Sequence, residues 1–110
     1  MKKLLVLAAA VCALFPLTAC GGSGGDSAPV TVQVANMSYS PASVTIEKGQ
    51  TVEWIFDDNG LPHDVVADDG AFESELLTEG SFSHTFTEAG TFTYHCTPHP
   101  MMVGTVVVEG

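Results

Sequence analysis

From residue 30 to residue 109, apolar and polar residues alternate in short runs, and each run is closed by a cluster of turn formers. Period-two runs rich in β-branched and aromatic residues place every other side chain on one face, so they fold as half-buried strands. Residues 30–34, 43–46, 51–56, 63–67, 81–86, 91–95 and 104–109 read as such strands. Between them stand Glu47-Lys48-Gly49-Gln50, Asp57-Asp58-Asn59-Gly60-Leu61-Pro62 and Glu88-Ala89-Gly90, whose Gly, Pro, Asn and Asp favour turns. Residues 68–80 are acidic and Gly-flanked with no sustained helical period, which predicts a loop with at most one helical turn. About seven to eight short strands at turn-punctuated spacing predict an all-β fold, a Greek-key β-sandwich or barrel. Trp54, Phe56, Phe82, Phe86 and Phe92 read as core. His84 shares the parity of Phe82 and Phe86 and is expected at the core edge; His95 has the opposite parity to Phe92, Tyr94 and Cys96 and is expected to face outward.

The first residues follow a different rule. Met1-Lys2-Lys3 precedes an almost unbroken apolar run over residues 4–15, and Leu17-Thr18-Ala19-Cys20 follows. A basic start, a dozen apolar residues and a small-residue cleavage site describe an export signal over residues 1–19. The run is shorter than the roughly 20 apolar residues of a membrane span. Leu17-Thr18-Ala19-Cys20 also resembles the bacterial lipobox, which implies cleavage before Cys20 and a lipid on its thiol. Residues 20–28 are Gly/Ser-rich and suit a flexible tether, leaving residues 29–110 as one globular domain. The expected location is therefore the periplasm or the outer face of the cytoplasmic membrane, with the chain anchored through Cys20.

Charge excludes one large class of function. The 110 residues carry 3 Lys+Arg against 13 Asp+Glu. Removal of the signal leaves one base, Lys48, against the same 13 acids, a formal charge of −12. Nucleic-acid binding needs clustered Lys and Arg to neutralise phosphate, so no nucleic-acid partner is expected. The cysteines also sort themselves: Cys12 leaves with the signal, Cys20 carries the lipid, and Cys96 stands alone in the domain. A lone thiol cannot form an internal disulfide, and a domain of this size often takes a metal as its staple instead.

Soft-metal donors gather in two segments. One contains His63, within Leu61-Pro62-His63-Asp64-Val65; the other is His95-Cys96-Thr97-Pro98-His99-Pro100-Met101-Met102-Val103-Gly104. A thiolate, two imidazoles and a thioether suit copper cycling between Cu(I) and Cu(II), whereas zinc rarely takes a thioether. His99 and Met102 each lie three residues beyond the preceding donor, so one tight loop can aim all three inward, and Pro98 and Pro100 restrict that loop beforehand. Spacing favours Met102 over Met101 as the thioether.

The second segment resembles the copper loop of the cupredoxins, the small blue copper proteins, and its Cys-x₂-His-x₂-Met spacing is similar to that of amicyanin. Pro62-His63 followed by Val65-Val66 resembles the family's first ligand segment. The resemblance covers roughly residues 30–109. It implies a cupredoxin-like sandwich with one type 1 copper, held by His63, Cys96 and His99 in a plane with Met102 axial, and a monomeric electron carrier that is not itself an enzyme. A second reading is an extracytoplasmic copper chaperone or scavenger on the same fold. The family usually has Asn after the first His; here Asp64 stands there. Asp64 is expected to accept a hydrogen bond from the Thr97 hydroxyl or from a backbone amide, and to favour Cu(II) by its charge. Leu61, Pro62, Pro98, Pro100 and Met101 are expected to form an apolar collar around His99 where redox proteins dock. Asp57, Asp58, Asp68, Asp69, Glu73, Glu75 and Glu79 are available to steer a partner with a basic docking surface.

Overall fold

A computed structural model describes residues 28–110. The expected signal (residues 1–19), Cys20 and the tether up to residue 27 lie outside the described residues. Eight strands follow in order: β1 (Val30–Ala35), β2 (Ser38–Ser40), β3 (Ser43–Glu47), β4 (Thr51–Phe56), β5 (Val66–Ala67), β6 (Gly80–Thr85), β7 (Gly90–His95) and β8 (Val103–Glu109). The described residues contain no helix.

The strands form two four-stranded sheets, ordered β2-β1-β4-β6 and β3-β8-β7-β5. Parallel pairs join β1 to β4 and β3 to β8; the remaining neighbours are antiparallel. Alternation decides which face is buried. Val32 and Val34 on β1, Val52, Trp54 and Phe56 on β4, Val44 and Ile46 on β3, and Val106 and Val108 on β8 all point into one shared core. Trp54 is fully buried and meets Tyr94 edge to face at 5.4 Å, joining the two sheets. Such aromatic pairs add about 0.5–1.5 kcal/mol beyond the area they bury. Phe82 and Phe92 pack against this core while remaining partly exposed.

The sequence expectations hold for the sandwich and for the loop over residues 68–79, and differ in two places. The expected strand over residues 63–67 shortens to β5, because His63 pairs with Leu77 only through an isolated bridge. The three-residue β2 was too short to show a period, yet Tyr39 on it is buried and its hydroxyl donates to the Asp64 carbonyl at 2.6 Å. Residues 68–79 form no helical turn. They lie along the His63 segment, anchored by buried Phe72, which stacks on Trp54 at 5.7 Å.

The topology sets the position of the site. Because β1 and β4 run parallel with Val34 beside Phe56, the β1–β2 turn and the loop after β4 leave at the same end. That loop carries His63. The loop after β7 carries Cys96, His99 and Met102, and it returns into β8 where His95 pairs with Val103.

Tyr94 and Gly104 are direct partners across β7 and β8, and a Cβ on Gly104 would enter the Tyr94 ring. Gly104 is thus required by packing, with the buried ring occupying the space of a side chain. Gly104→Ala is expected to destabilise the domain by about 1–3 kcal/mol, the usual range for overpacking. Urea unfolding of the metal-free protein tests this, and an unchanged midpoint refutes it.

Candidate metal centre

Cys96 follows the last residue of β7, and its side chain is completely buried. Its loop closes on itself through two backbone bonds: Met102 N donates to the His99 carbonyl at 2.9 Å, and Cys96 N donates to the Met102 carbonyl at 3.2 Å. The short Cys-x₂-His-x₂-Met spacing, with Pro98 and Pro100 limiting its freedom, suits this tight turn.

His63 reaches the same point from the other loop. Its backbone exchanges two hydrogen bonds with Leu77, at 3.0 and 2.8 Å. Nearby, Val65 N donates to Ser74 Oγ at 2.9 Å, and Ser74 N donates back to the Val65 carbonyl at 2.8 Å. The acidic segment therefore serves as a brace for the first donor. Sequence reading missed this role of Ser74 and Leu77; the available signal was Phe72-x-Ser74-x-x-Leu77, apolar or small residues inside an otherwise acidic stretch.

Three donor atoms converge. Cys96 Sγ lies 3.6 Å from His63 Nδ1 and 3.7 Å from His99 Nδ1, and the two nitrogens are 3.2 Å apart. A circle through these atoms has a radius of about 2.0 Å, close to the length of a bond from a transition metal to imidazole nitrogen. His63 is buried, while His99 is only partly so and presents an edge to solvent. Met102 is buried and Met101 is 70% exposed, which agrees with Met102 as the thioether that spacing favours.

The surroundings of the sulfur are ordered. Burial pushes the Cys96 thiol above its usual range, and backbone amides of Asp64 and His99 hydrogen-bond the sulfur and oppose that shift. Asp64 Oδ1 accepts a hydrogen bond from Thr97 N at 2.6 Å, so the bond from Thr97 comes from its amide. Asp64 itself is buried, and its carboxylate ties the His63 loop to the Cys96 loop.

Of the expected collar, Leu61, Pro98, Pro100 and Met101 are exposed and Pro62 is half-buried. The seven loop acids divide. Six are exposed, but Asp58 turns inward and bonds His63 Nε2 at 2.8 Å. Asp68 is exposed yet engaged: Thr93 Oγ1 donates to it at 2.6 Å and His95 Nδ1 lies 2.7 Å away. His84 stands apart from the site, packed between Phe72 and Phe86, as its parity indicated.

Comparison with known proteins agrees with this geometry. Residues 27–109 match the family of copper-binding proteins described as plastocyanin/azurin. The chain belongs to this cupredoxin family. It is 42% identical over 86 residues to amicyanin from Paracoccus denitrificans, covering 73% of this chain and 65% of that protein. It is 36% identical to amicyanin from Paracoccus versutus, covering 97% of both chains. Among solved structures, a reduced Trp-to-Tyr mutant of amicyanin superposes with a TM-score of 0.68 at 39% identity, over 74% of this chain and 82% of that one. A purple cupredoxin from Nitrosopumilus maritimus superposes at 0.66 with 33% identity, over 73% and 99%. Copper is the family's metal, and the donor set fits it: the buried thiol and thioether favour Cu(I), and imidazole accepts either oxidation state.

Two predictions follow from these contacts. Asp64→Asn keeps an oxygen able to accept from Thr97 N and removes a negative charge beside the sulfur. The midpoint potential is expected to rise, by up to about 59 mV if the Cu(II) preference falls tenfold; voltammetry showing no change would count against the charge effect. The second concerns acid. Bonds from Thr93 and then His95 hold the Asp68 carboxyl below its usual 3.8. The stability it contributes is full above 3.8 and is lost as pH falls through the lowered folded value. Asp68→Asn is expected to lose less stability than the parent between neutral pH and strong acid, and equal losses in urea melts would refute this.

Proposed function

We propose that this protein is a blue copper electron carrier, with His63, Cys96 and His99 as the planar copper ligands and Met102 as the axial one. The observation that carries the reading is the triangle of Cys96 Sγ, His63 Nδ1 and His99 Nδ1, whose 3.2–3.7 Å sides surround one metal-sized point. Copper bound there supplies one-electron exchange between Cu(I) and Cu(II). The chain supplies rigidity: each donor is held by a loop whose backbone is pinned to neighbouring segments. Donors that stay in place on gaining or losing an electron keep the reorganisation barrier low. The complete burial of Cys96 and near-complete burial of Met102 favour a carrier over a chaperone, which needs an open site for metal hand-off.

His99, the partly exposed donor, is the proposed port for electrons. Five large apolar residues are notably exposed among the described residues: Met37, Leu61, Leu76, Met101 and Val103. All belong to the segments around the site. Met37 bonds Asp58, Leu61 shares the His63 loop, Leu76 adjoins Leu77, and Met101 and Val103 flank Met102. An apolar face with acids on its rim suits a redox protein carrying a basic docking surface. The proposed organisation is a signal over residues 1–19, a lipid on Cys20, a tether over residues 20–28 and a cupredoxin domain over residues 29–110, which works as a monomer outside the cytoplasmic membrane. This rests on the basic-apolar-small pattern and lipobox-like residues of the first segment.

The test is spectroscopic. The protein loaded with Cu(II) is expected to show an intense blue thiolate charge-transfer band and narrow copper hyperfine splitting, and Cys96→Ser is expected to abolish the band. A pale protein with a tetragonal paramagnetic-resonance spectrum would sink the carrier reading.

A further inference from the structure

A second concave feature lies away from the metal donors. It is a hollow of about 240 Å³, open to solvent, walled by His84, Phe86, Phe92 and Glu88 together with Ala71 and two threonines. It occupies the opposite pole of the sandwich. β4 and β6 pair from Thr51 beside Thr85 to Phe56 beside Gly80, and the His63 loop leaves after Phe56, so His84 sits at the other end of that sheet. On β7, Phe92 precedes Cys96 by about 13 Å of strand. None of the four donors lines the hollow. Its size suits a small guest: an apolar cavity of about 150 Å³ accepts one benzene ring. The hollow therefore has room for a single ring with a polar head.

We propose that this hollow binds a small organic cation, whose apolar body packs on Phe86 and Phe92 while its charged head donates N–H groups to His84 and pairs with Glu88. The walls are aromatic: the Phe86 ring lies 5.4 Å from Phe92 and 4.7 Å from His84. Phe86 is buried, and Phe92 and His84 are half-buried. Aromatic faces attract cations. Glu88 adds a carboxylate that has no partner among the described residues, and no Lys or Arg lines the hollow. His84 likewise makes no hydrogen bond among the described residues. Burial holds its imidazole below the usual 6.5, so near neutral pH the ring is uncharged and keeps one lone pair for a donor. Other guests fit less well. An anion would meet Glu88 and a chain that, beyond the expected signal, has one base against 13 acids. A bare metal ion would find one imidazole and one carboxylate, fewer than the roughly four donors of a structural site.

The probe is benzamidinium, a planar ring with a fixed charge and N–H donors; benzamide is its neutral counterpart of similar shape. Titrated into the Cu(I)-loaded protein at constant ionic strength, benzamidinium is expected to move the resonances of His84, Phe86 and Phe92 saturably and to leave those of His63 in place. Benzamide is expected to bind at least about fivefold more weakly. Glu88→Gln, a change at an exposed position, is expected to weaken benzamidinium about fivefold and to leave benzamide unchanged. His84→Leu keeps an apolar wall but removes the acceptor, and is expected to weaken both probes about fivefold. The absence of any saturable shift up to about 50 mM benzamidinium overturns the site. Equal affinity for the two probes overturns the preference for a cation, as does an unchanged affinity in Glu88→Gln. Shifts scattered over the outward acids, with none at the hollow, would mean loose attraction to the charged surface and also overturn it. If His84→Leu does not fold, the two probes on the parent and the Glu88→Gln variant decide the matter.

Discussion

Three electron-rich atoms facing one another across 3.2–3.7 Å, in a place where the sulfur is completely buried, form an arrangement that a free chain avoids. With their protons removed, as metal binding requires, their lone pairs repel, and burial raises the cost of the thiolate. The convergence must therefore be enforced by the fold, and much of this structure reads as the means of enforcement. Cys96 is fixed by its place just past β7 and by its amide bond to Met102. His63 is fixed on its backbone by Leu77 and on its ring by Asp58. Asp64 then links the two loops through Thr97 N.

These restraints start in the core. The edge-to-face contact of Trp54 with Tyr94 holds the two sheets in register just below the loops, and Gly104 leaves the room that Tyr94 occupies. Tyr39 extends the same aromatic layer, packing on Tyr94 at 4.7 Å and reaching the Asp64 carbonyl. Burial pushes the Tyr94 hydroxyl up to about 12, so this layer stays neutral at physiological pH. A path of rigid contacts runs from the centre of the sandwich to the residue beside His63.

The parts that were legible in the sequence are those governed by a strict period or a strict spacing. Alternation located β1, β3, β4, β6, β7 and β8 within a residue or so, because each turns one face, mostly apolar, toward the core. The loop from Cys96 to Met102 was legible because its donors are close in sequence and chemically unlike their neighbours. What was not legible depends on contacts between distant segments. Seen in sequence, Asp58 is one of many loop acids; only the parallel pairing of β1 with β4 brings the Met37 turn beside it and makes it an inward clamp. Residues 68–79 read only as an acidic loop because they are held by backbone bonds to residues 63–67, and such bonds leave little trace in side-chain pattern.

The distribution of charge follows from the same division. Asp58 and Asp64 are turned inward, where water screens a charge less than it does at the surface. The exposed acids Asp57, Asp69, Glu73, Glu75 and Glu79 face water, where salt screens each over roughly 8–10 Å and only their sum is felt at a distance. The exposed apolar residues Leu61, Leu76, Met101 and Val103 belong to the segments that carry or brace the donors. One kind of residue can thus perform two tasks without interference. Inward acids lie against the loops that carry the donor atoms, and outward acids lie where an approaching molecule meets them first.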